Sequence, residues 1–106
     1  TFRYQSPEEF ELKAAEIVHG WLEQLAGTRF HVRMHRRGFK GRLSSMEEER
    51  LFDHLVIESL ARQGLEAFID FDDPDWILAI DTVAQRAGLS LWSRVELQRY
   101  PLLKLD

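Results

Sequence analysis

The chain of 106 residues contains no cysteine. This absence excludes disulfides, thiol nucleophiles and cysteine-ligated zinc, and it is compatible with a reducing compartment. No apolar run approaches the ~20 residues that span a bilayer, so we expect no membrane partner. The first nine residues are polar and acidic and lack the apolar stretch of a secretory signal peptide. We therefore expect a cytoplasmic location.

The sequence also lacks internal repeats, low-complexity segments and linkers. Its length, with 44% hydrophobic and 30% charged residues, is typical of one globular domain, which we assign to residues 1–106. The first residue is Thr1 rather than methionine. Whether the chain is a stand-alone protein or a piece of a longer enzyme is therefore left open.

Residues 29–42 contain no acid, although the chain as a whole has a formal charge of −4. This segment holds six of the 14 basic residues and has a charge of +6, and His31 and His35 can add to it. The flanking segments are acidic, at −3 for residues 1–28 and −7 for residues 43–106. A basic segment on an acidic body predicts an oriented contact with a phosphate-bearing partner.

Two amphipathic helices are predicted. The first begins at Ser6, whose capping box with the glutamate three residues later is a strong start signal, and it ends at Gly27. The second begins at one of two overlapping capping boxes, at Ser44 or Ser45, and ends near Gln63. If Ser45 is the cap, replacing it by alanine should lower the stability by ~1 kcal/mol.

Four strands are predicted at residues 28–35, 67–71, 76–83 and 89–92. Residues 94–100 can form a short helix, and the role of residues 93–106 is left open. The order of helices and strands favours an α/β two-layer sandwich. We expect a mixed sheet of about four strands with the two main helices on one side. The strand–helix–strand unit over residues 28–71 is expected to cross right-handedly.

The first predicted strand alternates in polarity. One face, expected in the core, carries Phe30, Val32 and Met34; the other, expected to be cationic, carries Arg29, His31, Arg33 and His35. Residues on one face lie ~6.6 Å apart, close to the spacing of phosphates along a nucleic-acid strand. Residues 36–42 are interpreted as a loop, because glycine at positions 38 and 41 permits tight turns.

The loop adds candidate contacts. Backbone N–H groups near Gly38 and Gly41 can bind phosphate, and Phe39 either stacks on an unpaired base or packs on the core. Arginine pairs bidentately with phosphate oxygens and stays charged at physiological pH. We therefore expect recognition of RNA shape and backbone rather than of base sequence.

Metal and catalytic chemistries are not supported. His31 and His35 lie ~13 Å apart on a strand, too far for one ion. The aspartates of residues 70–75 lack the glycine and distal glutamate of a calcium-binding hand, and Asp-Pro is common in turns. Because no ordered set of catalytic residues occurs, we predict no catalytic residue, no metal, no cofactor and no enzyme activity.

Two segments together resemble the THUMP domain family. The run Phe-His-Val-Arg-Met-His-Arg-Arg-Gly is followed by a loop and a Ser-x-x-Glu helix start. The later run Ile-Asp-Phe-Asp-Asp-Pro-Asp resembles the family's hydrophobic–Asp–x–x–Asp-Pro-Asp turn. The similarity covers about residues 28–92, and it lies in the order and spacing of the two motifs. Residues 1–27 are expected to form an N-terminal helix of the same module.

The resemblance implies a THUMP-like fold and an RNA-binding module, with tRNA or another structured RNA as partner. It further implies an accessory or adaptor role beside a tRNA-modifying enzyme or its catalytic domain. The family's RNA-binding role would fall on Arg33, Arg36, Arg37, Lys40 and Arg42, to which we add Phe39 for stacking. The chain itself lacks the glycine fingerprint of a methyltransferase and the phosphate loop of a thiouridine synthetase.

A second hypothesis remains from the residues alone. The same basic segment could dock an acidic protein partner, with an edge strand available for pairing. Binding of bulk tRNA by the folded domain distinguishes the two hypotheses.

Overall fold

The computed structural model describes residues 1–37 and 44–99, with side chains described through residue 96. Within this part of the chain, the elements are β1 Phe2–Arg3, α1 Pro7–His19, α2 Leu22–Leu25, β2 Arg29–Arg37, α3 Ser45–Ala61, β3 Phe68–Ile69, β4 Trp76–Val83, β5 Arg86–Ser93 and α4 Arg94–Arg99. The strands form one sheet in the order β1-β5-β4-β2-β3. Strand β2 is parallel to β3 and β4, whereas β5 is antiparallel to β4 and β1. The predicted α/β class with a mixed sheet is confirmed.

The core lies between α1, α3 and one face of the sheet. The side chains that fill it without exposure include Phe10 of α1, Phe52 of α3, Phe30 of β2 and Leu78 of β4. Phe10 and Phe52 meet edge to face with ring centroids 6.1 Å apart, which joins the two main helices. The opposite sheet face, called the open face here, carries the residues that alternate with this core.

The first helix is shorter than predicted. It begins as expected, since the Glu9 N–H donates to Ser6 Oγ at 3.1 Å and Pro7 opens the helix. It ends at His19 instead of continuing to Gly27, and the single turn α2 follows. Gly20, a poor helix former, donates its N–H to the Ile17 carbonyl at 3.0 Å, a tighter i to i−3 bond that interrupts the helix.

The cap of α3 is Ser44. Its Oγ accepts the Glu47 N–H at 3.3 Å, while Ser45 is the first helical residue. Of the two overlapping capping boxes, the first is therefore used, and the stabilisation of ~1 kcal/mol belongs to Ser44. The helix ends at Ala61, and Gly64 with φ +75° turns the chain towards β3.

Strand β2 pairs with β4 from Phe30 to Arg37 but with β3 only at Arg29 and Phe30. The rest of that edge is covered by carboxylates from successive turns of α3. The Met34 N–H donates to Glu49 Oε2 at 2.8 Å, and Asp53 accepts a hydrogen bond from the Val32 backbone. Burial raises the pKa of Asp53 to about 6, against the lowering effect of that backbone bond. These bonds satisfy backbone N–H groups of β2 that have no partner strand, and they fix β2 beneath α3.

A second buried carboxyl joins the helices. Burial, and a hydrogen bond with Glu11 of α1, raise the pKa of Glu48 to about 8. Glu48 is therefore largely protonated at neutral pH and can donate a hydrogen bond to the Glu11 side chain. No helix in residues 1–37 or 44–99 has the length and apolar character needed to cross a membrane.

Candidate nucleic-acid interface

The alternation predicted for β2 is confirmed. Phe30 and Val32 are fully buried and Met34 is 8% exposed, all on the core face. The open face of the strand carries Arg29, His31, Arg33, His35 and Arg37. One strand thus contributes both to the hydrophobic core and to a row of basic side chains.

The predicted boundary between strand and loop was wrong by two residues. Arg36 and Arg37 belong to β2, because they pair with Thr82 and Val83 of β4. As strand neighbours, they lie on opposite faces of the sheet. Arg37 is exposed on the open face, whereas Arg36 is half-buried on the core side of the sheet end. The two arginines therefore cannot act as one cluster. The predicted contacts at Phe39, Lys40 and Arg42 lie outside the described residues.

His31 departs from the expected cationic face. It is only 9% exposed and meets Phe71 edge to face, with ring centroids 4.6 Å apart. Burial and the neighbouring charge of Arg33 lower its pKa, so the imidazole is neutral at physiological pH. His31 thus adds packing to the open face and no charge.

Arg29 is exposed, but its guanidinium is paired with acids. Its guanidinium lies 3.5 Å from Asp70 and 3.8 Å from Asp75, and its backbone N–H donates to Asp75 Oδ2 at 2.9 Å. Asp73 is a third partner at 3.9 Å. These aspartates belong to the acidic loop, defined as residues 70–75. One of the six bases of the basic segment is therefore neutralised within the domain.

The acidic loop is a structural turn, as the sequence predicted. Asp70 Oδ1 accepts the N–H groups of Asp72 and Asp73 at 2.9 and 3.0 Å. These backbone bonds lower the pKa of Asp70, with a further contribution from Arg29 and Arg94. Arg94, at the start of α4, lies 3.0 Å from Asp75 Oδ1 and thereby joins the loop to the end of β5.

Arg33 stands between the two ends of the open face. Arg33 is half-buried and interacts with other residues of the domain. It lines a cavity of about 170 Å³ together with Phe71, Asp72, Asp73, Pro74, Ile77 and Arg94. Its guanidinium is thus partly enclosed by the acidic loop. Of the three predicted contacts that the structure describes, Arg37 is the most exposed.

Two further arginines, neither of them a predicted site residue, also lie on the open face. Arg3 belongs to β1 and Arg86 to the first position of β5, directly opposite each other. The connection between the strands predicted at residues 76–83 and 89–92 is shorter than expected, a turn at Ala84 and Gln85 with φ 54° at Ala84. Arg86 is therefore a strand residue. No local signal marked Arg3, because a two-residue strand is visible only through its pairing.

The element order and sheet define an α/β fold similar to that of a THUMP domain. The solution structure of the THUMP domain of THUMP domain-containing protein 1 matches at a TM-score of 0.66 and 15% identity. The match covers 85% of this chain and 91% of that domain. At this level of identity, the similarity establishes the fold.

Two longer proteins contain a similar domain. PH1313 from Pyrococcus horikoshii matches at a TM-score of 0.59 and 14% identity, over 80% of this chain and 28% of that one. A 4-thiouridine synthetase, solved in complex with RNA and with bound ATP, matches at 0.61 and 16% identity, over 81% and 22%. This chain thus spans about a quarter of either protein. No protein-family model and no curated protein matches the sequence.

Proposed function

We propose that this domain binds structured RNA, with tRNA as the expected class, and serves as a non-catalytic accessory to a tRNA-modifying enzyme. The observation that carries the proposal is the exposed arginine at the end of β2, from which the chain continues directly into the remaining basic segment. The fold similarity to a THUMP domain and to part of a synthetase solved with RNA supports the same class of ligand.

The mechanism is electrostatic positioning. Arg37 offers a planar guanidinium for phosphate oxygens, and Arg33 and Arg36 add charge on either side of the strand. Lys40 and Arg42 extend the positive segment in sequence, and Phe39 is proposed to stack on an unpaired base. Because the rest of the chain is acidic, RNA is repelled elsewhere and the domain binds it in one orientation.

The accessory role follows from the same chemistry. Contacts to phosphate position an RNA without altering it, so the modification is assigned to a separate catalytic domain or partner enzyme. A cytoplasmic location is proposed with it. The competing possibility is an acidic protein bound by the same arginines.

The test is a filter-binding titration of bulk tRNA against the wild-type chain and the double variant Arg37→Gln/Lys40→Gln. The variant should bind about tenfold more weakly, and the slope of log affinity against log salt should fall by up to ~0.9 for each lost duplex phosphate contact. Arg50→Gln/Arg62→Gln is the matched control, since it removes one exposed arginine of α3 and one exposed arginine directly after its end, both on the helical layer.

The control should bind like the wild type. Failure of the folded wild-type chain to bind tRNA at low salt would overturn the proposal. Equal losses in the variant and the control would also contradict it, because net charge alone would then explain the binding.

A further inference from the structure

Three arginines from three strands form a row across one end of the open face. Arg3 lies opposite Arg86, Arg86 opposite Val83, and Val83 opposite Arg37. Directly opposed strand residues point to the same face, and neighbouring strands lie ~4.8 Å apart, so the row spans ~14 Å. We call Arg3, Arg86 and Arg37 the arginine row.

The arginine row is electrostatically unfavourable for the isolated domain. Like charges directly opposite each other destabilise a sheet, and Arg3 and Arg86 are such a pair. All three side chains are exposed, and none forms an ion pair with another residue of the segments 1–37 and 44–96. Repulsion of this kind is relieved when an external anion binds between the charges.

The surface beside the row is concave. A depression of about 430 Å³ is lined by Arg3, Tyr4, Gln5, Val83, Ala84, Gln85 and Arg86. The Tyr4 hydroxyl donates to the Ala84 carbonyl at 2.9 Å and so ties the β4–β5 turn to the start of the chain. Val83, 53% exposed, separates Arg86 from Arg37. Asp81, the acid of β4 on this face, lies in the adjacent row between His35 and Gly88.

We propose that the arginine row binds successive phosphates of an RNA backbone, so that the RNA crosses the end of the sheet over the β4–β5 turn. This inference rests on the proposed function and adds Arg3 and Arg86 to the interface. A span of ~14 Å accommodates about two or three neighbouring backbone phosphates, each of which a guanidinium can bind bidentately. In sequence, Arg37 is followed by Lys40 and Arg42, the remaining bases of the basic segment.

RNA fits this surface better than an acidic protein does. The row is exposed and basic, with a single valine at its centre, whereas protein interfaces concentrate energy in buried aromatic or apolar anchors. Contacts spread along a charged backbone need no such anchor.

The experiment compares Arg3→Gln/Arg86→Gln with the wild type and with the Arg50→Gln/Arg62→Gln control, using bulk tRNA and a polyglutamate peptide as probes. Glutamine keeps a polar side chain of partly similar length and removes both the charge and the guanidinium fork. The row variant should bind tRNA about 10–30-fold more weakly, and its salt slope should fall by about 1.4–1.8 for two lost phosphate contacts. The melting temperature should stay the same or rise by about 1–3 °C, since repulsion is removed.

Arg3→Lys/Arg86→Lys should recover part of the lost affinity, because charge returns without the bidentate fork. If the wild type binds tRNA and the row variant binds it equally well, the inference is overturned while the proposed function stands. If the wild type does not bind tRNA, both fall. A loss of polyglutamate binding with tRNA binding intact would assign the row to an acidic protein instead.

Discussion

At one end of β2, Arg29 lies among three aspartates within 4 Å, whereas at the other end Arg37 lies in a row with Arg86 and Arg3. The residue type is the same and the environments are opposite. Arg29 helps to hold the acidic loop against the sheet. Arg37 forms no ion pair with another residue of the segments 1–37 and 44–96. A basic residue in the sequence therefore indicates function only when its carboxylate neighbours in the fold are known.

The largest effect on tRNA binding is expected when a carboxylate is introduced into the arginine row. Val83→Glu places a carboxylate between Arg86 and Arg37, as the aspartates stand around Arg29. We expect tRNA affinity to fall about 10–100-fold, because two guanidinium groups then have an internal partner. Leu12→Glu, which adds the same charge at an exposed site on α1, is the control and should change affinity less than about threefold.

The tRNA affinities of both variants and the wild type are measured by titration at equal salt concentration. Binding by Val83→Glu at the wild-type level would show that the row does not face the RNA.

Substitutions at the Arg29 end of β2 should affect the stability of the domain rather than its tRNA binding. Asp75→Ala removes the acceptor of the Arg29 N–H and the partner of Arg94 at 3.0 Å, so unfolding in urea should show a loss of about 1–3 kcal/mol. Asp72→Ala removes an exposed carboxylate from the same loop and should cost less than about 0.5 kcal/mol.

Affinity for tRNA should change less than about threefold in both loop variants, since neither alters the arginine row. A large loss of affinity in Asp75→Ala, with stability intact, would contradict the assignment of the loop to structure.

A smaller effect is expected on the pH dependence of stability, which tRNA binding by the arginine row should not share. The pKa of Glu48 is raised in the folded state, to about 8 from 4.5, so folding retains a proton that the unfolded chain releases above pH 4.5. This stabilisation is complete below pH 4.5 and is lost as the pH rises to about 8. Arginine does not titrate in this range, so affinity of the row should not follow the same profile.

Glu48→Gln should flatten the pH profile and stabilise the domain by about 1–2 kcal/mol at pH 8, because glutamine can donate to Glu11 as the protonated acid does. Urea unfolding at pH 5 and pH 8 gives the comparison. An unchanged slope between wild type and variant would assign the pH dependence to other groups, of which Asp53 is the next candidate.

Much of the fold follows from local sequence. Ser6, Ser44 and the alternation from Phe30 to Met34 specify helix starts and a two-faced strand, because capping and burial act over a few residues. The interruption at Gly20 was missed, since a weak helix former decides between one helix and two only through tertiary packing. Strand β1 was missed because two residues carry no periodicity.

The candidate site was less predictable. The pairing of Arg36 and Arg37 with β4 extends the strand and places the two side chains on opposite faces. The sequence had favoured a loop from residue 36, because Gly38 follows closely. His31 was expected to be cationic, yet Phe71, forty residues later, covers it. Both errors concern partners that are distant in the chain.

By itself, the sequence determined that residues 29–42 form a basic segment in an acidic chain, that one strand divides into apolar and basic faces, and that the aspartates of residues 70–75 make a turn. These properties depend on composition and on the period of two in a strand. Only the tertiary structure decided which arginines are neutralised and which are presented. Charges interact strongly only over a few ångströms, and the fold brings together Arg29 and Asp75, which are 46 residues apart, and Arg3 and Arg86, which lie near opposite ends of the chain.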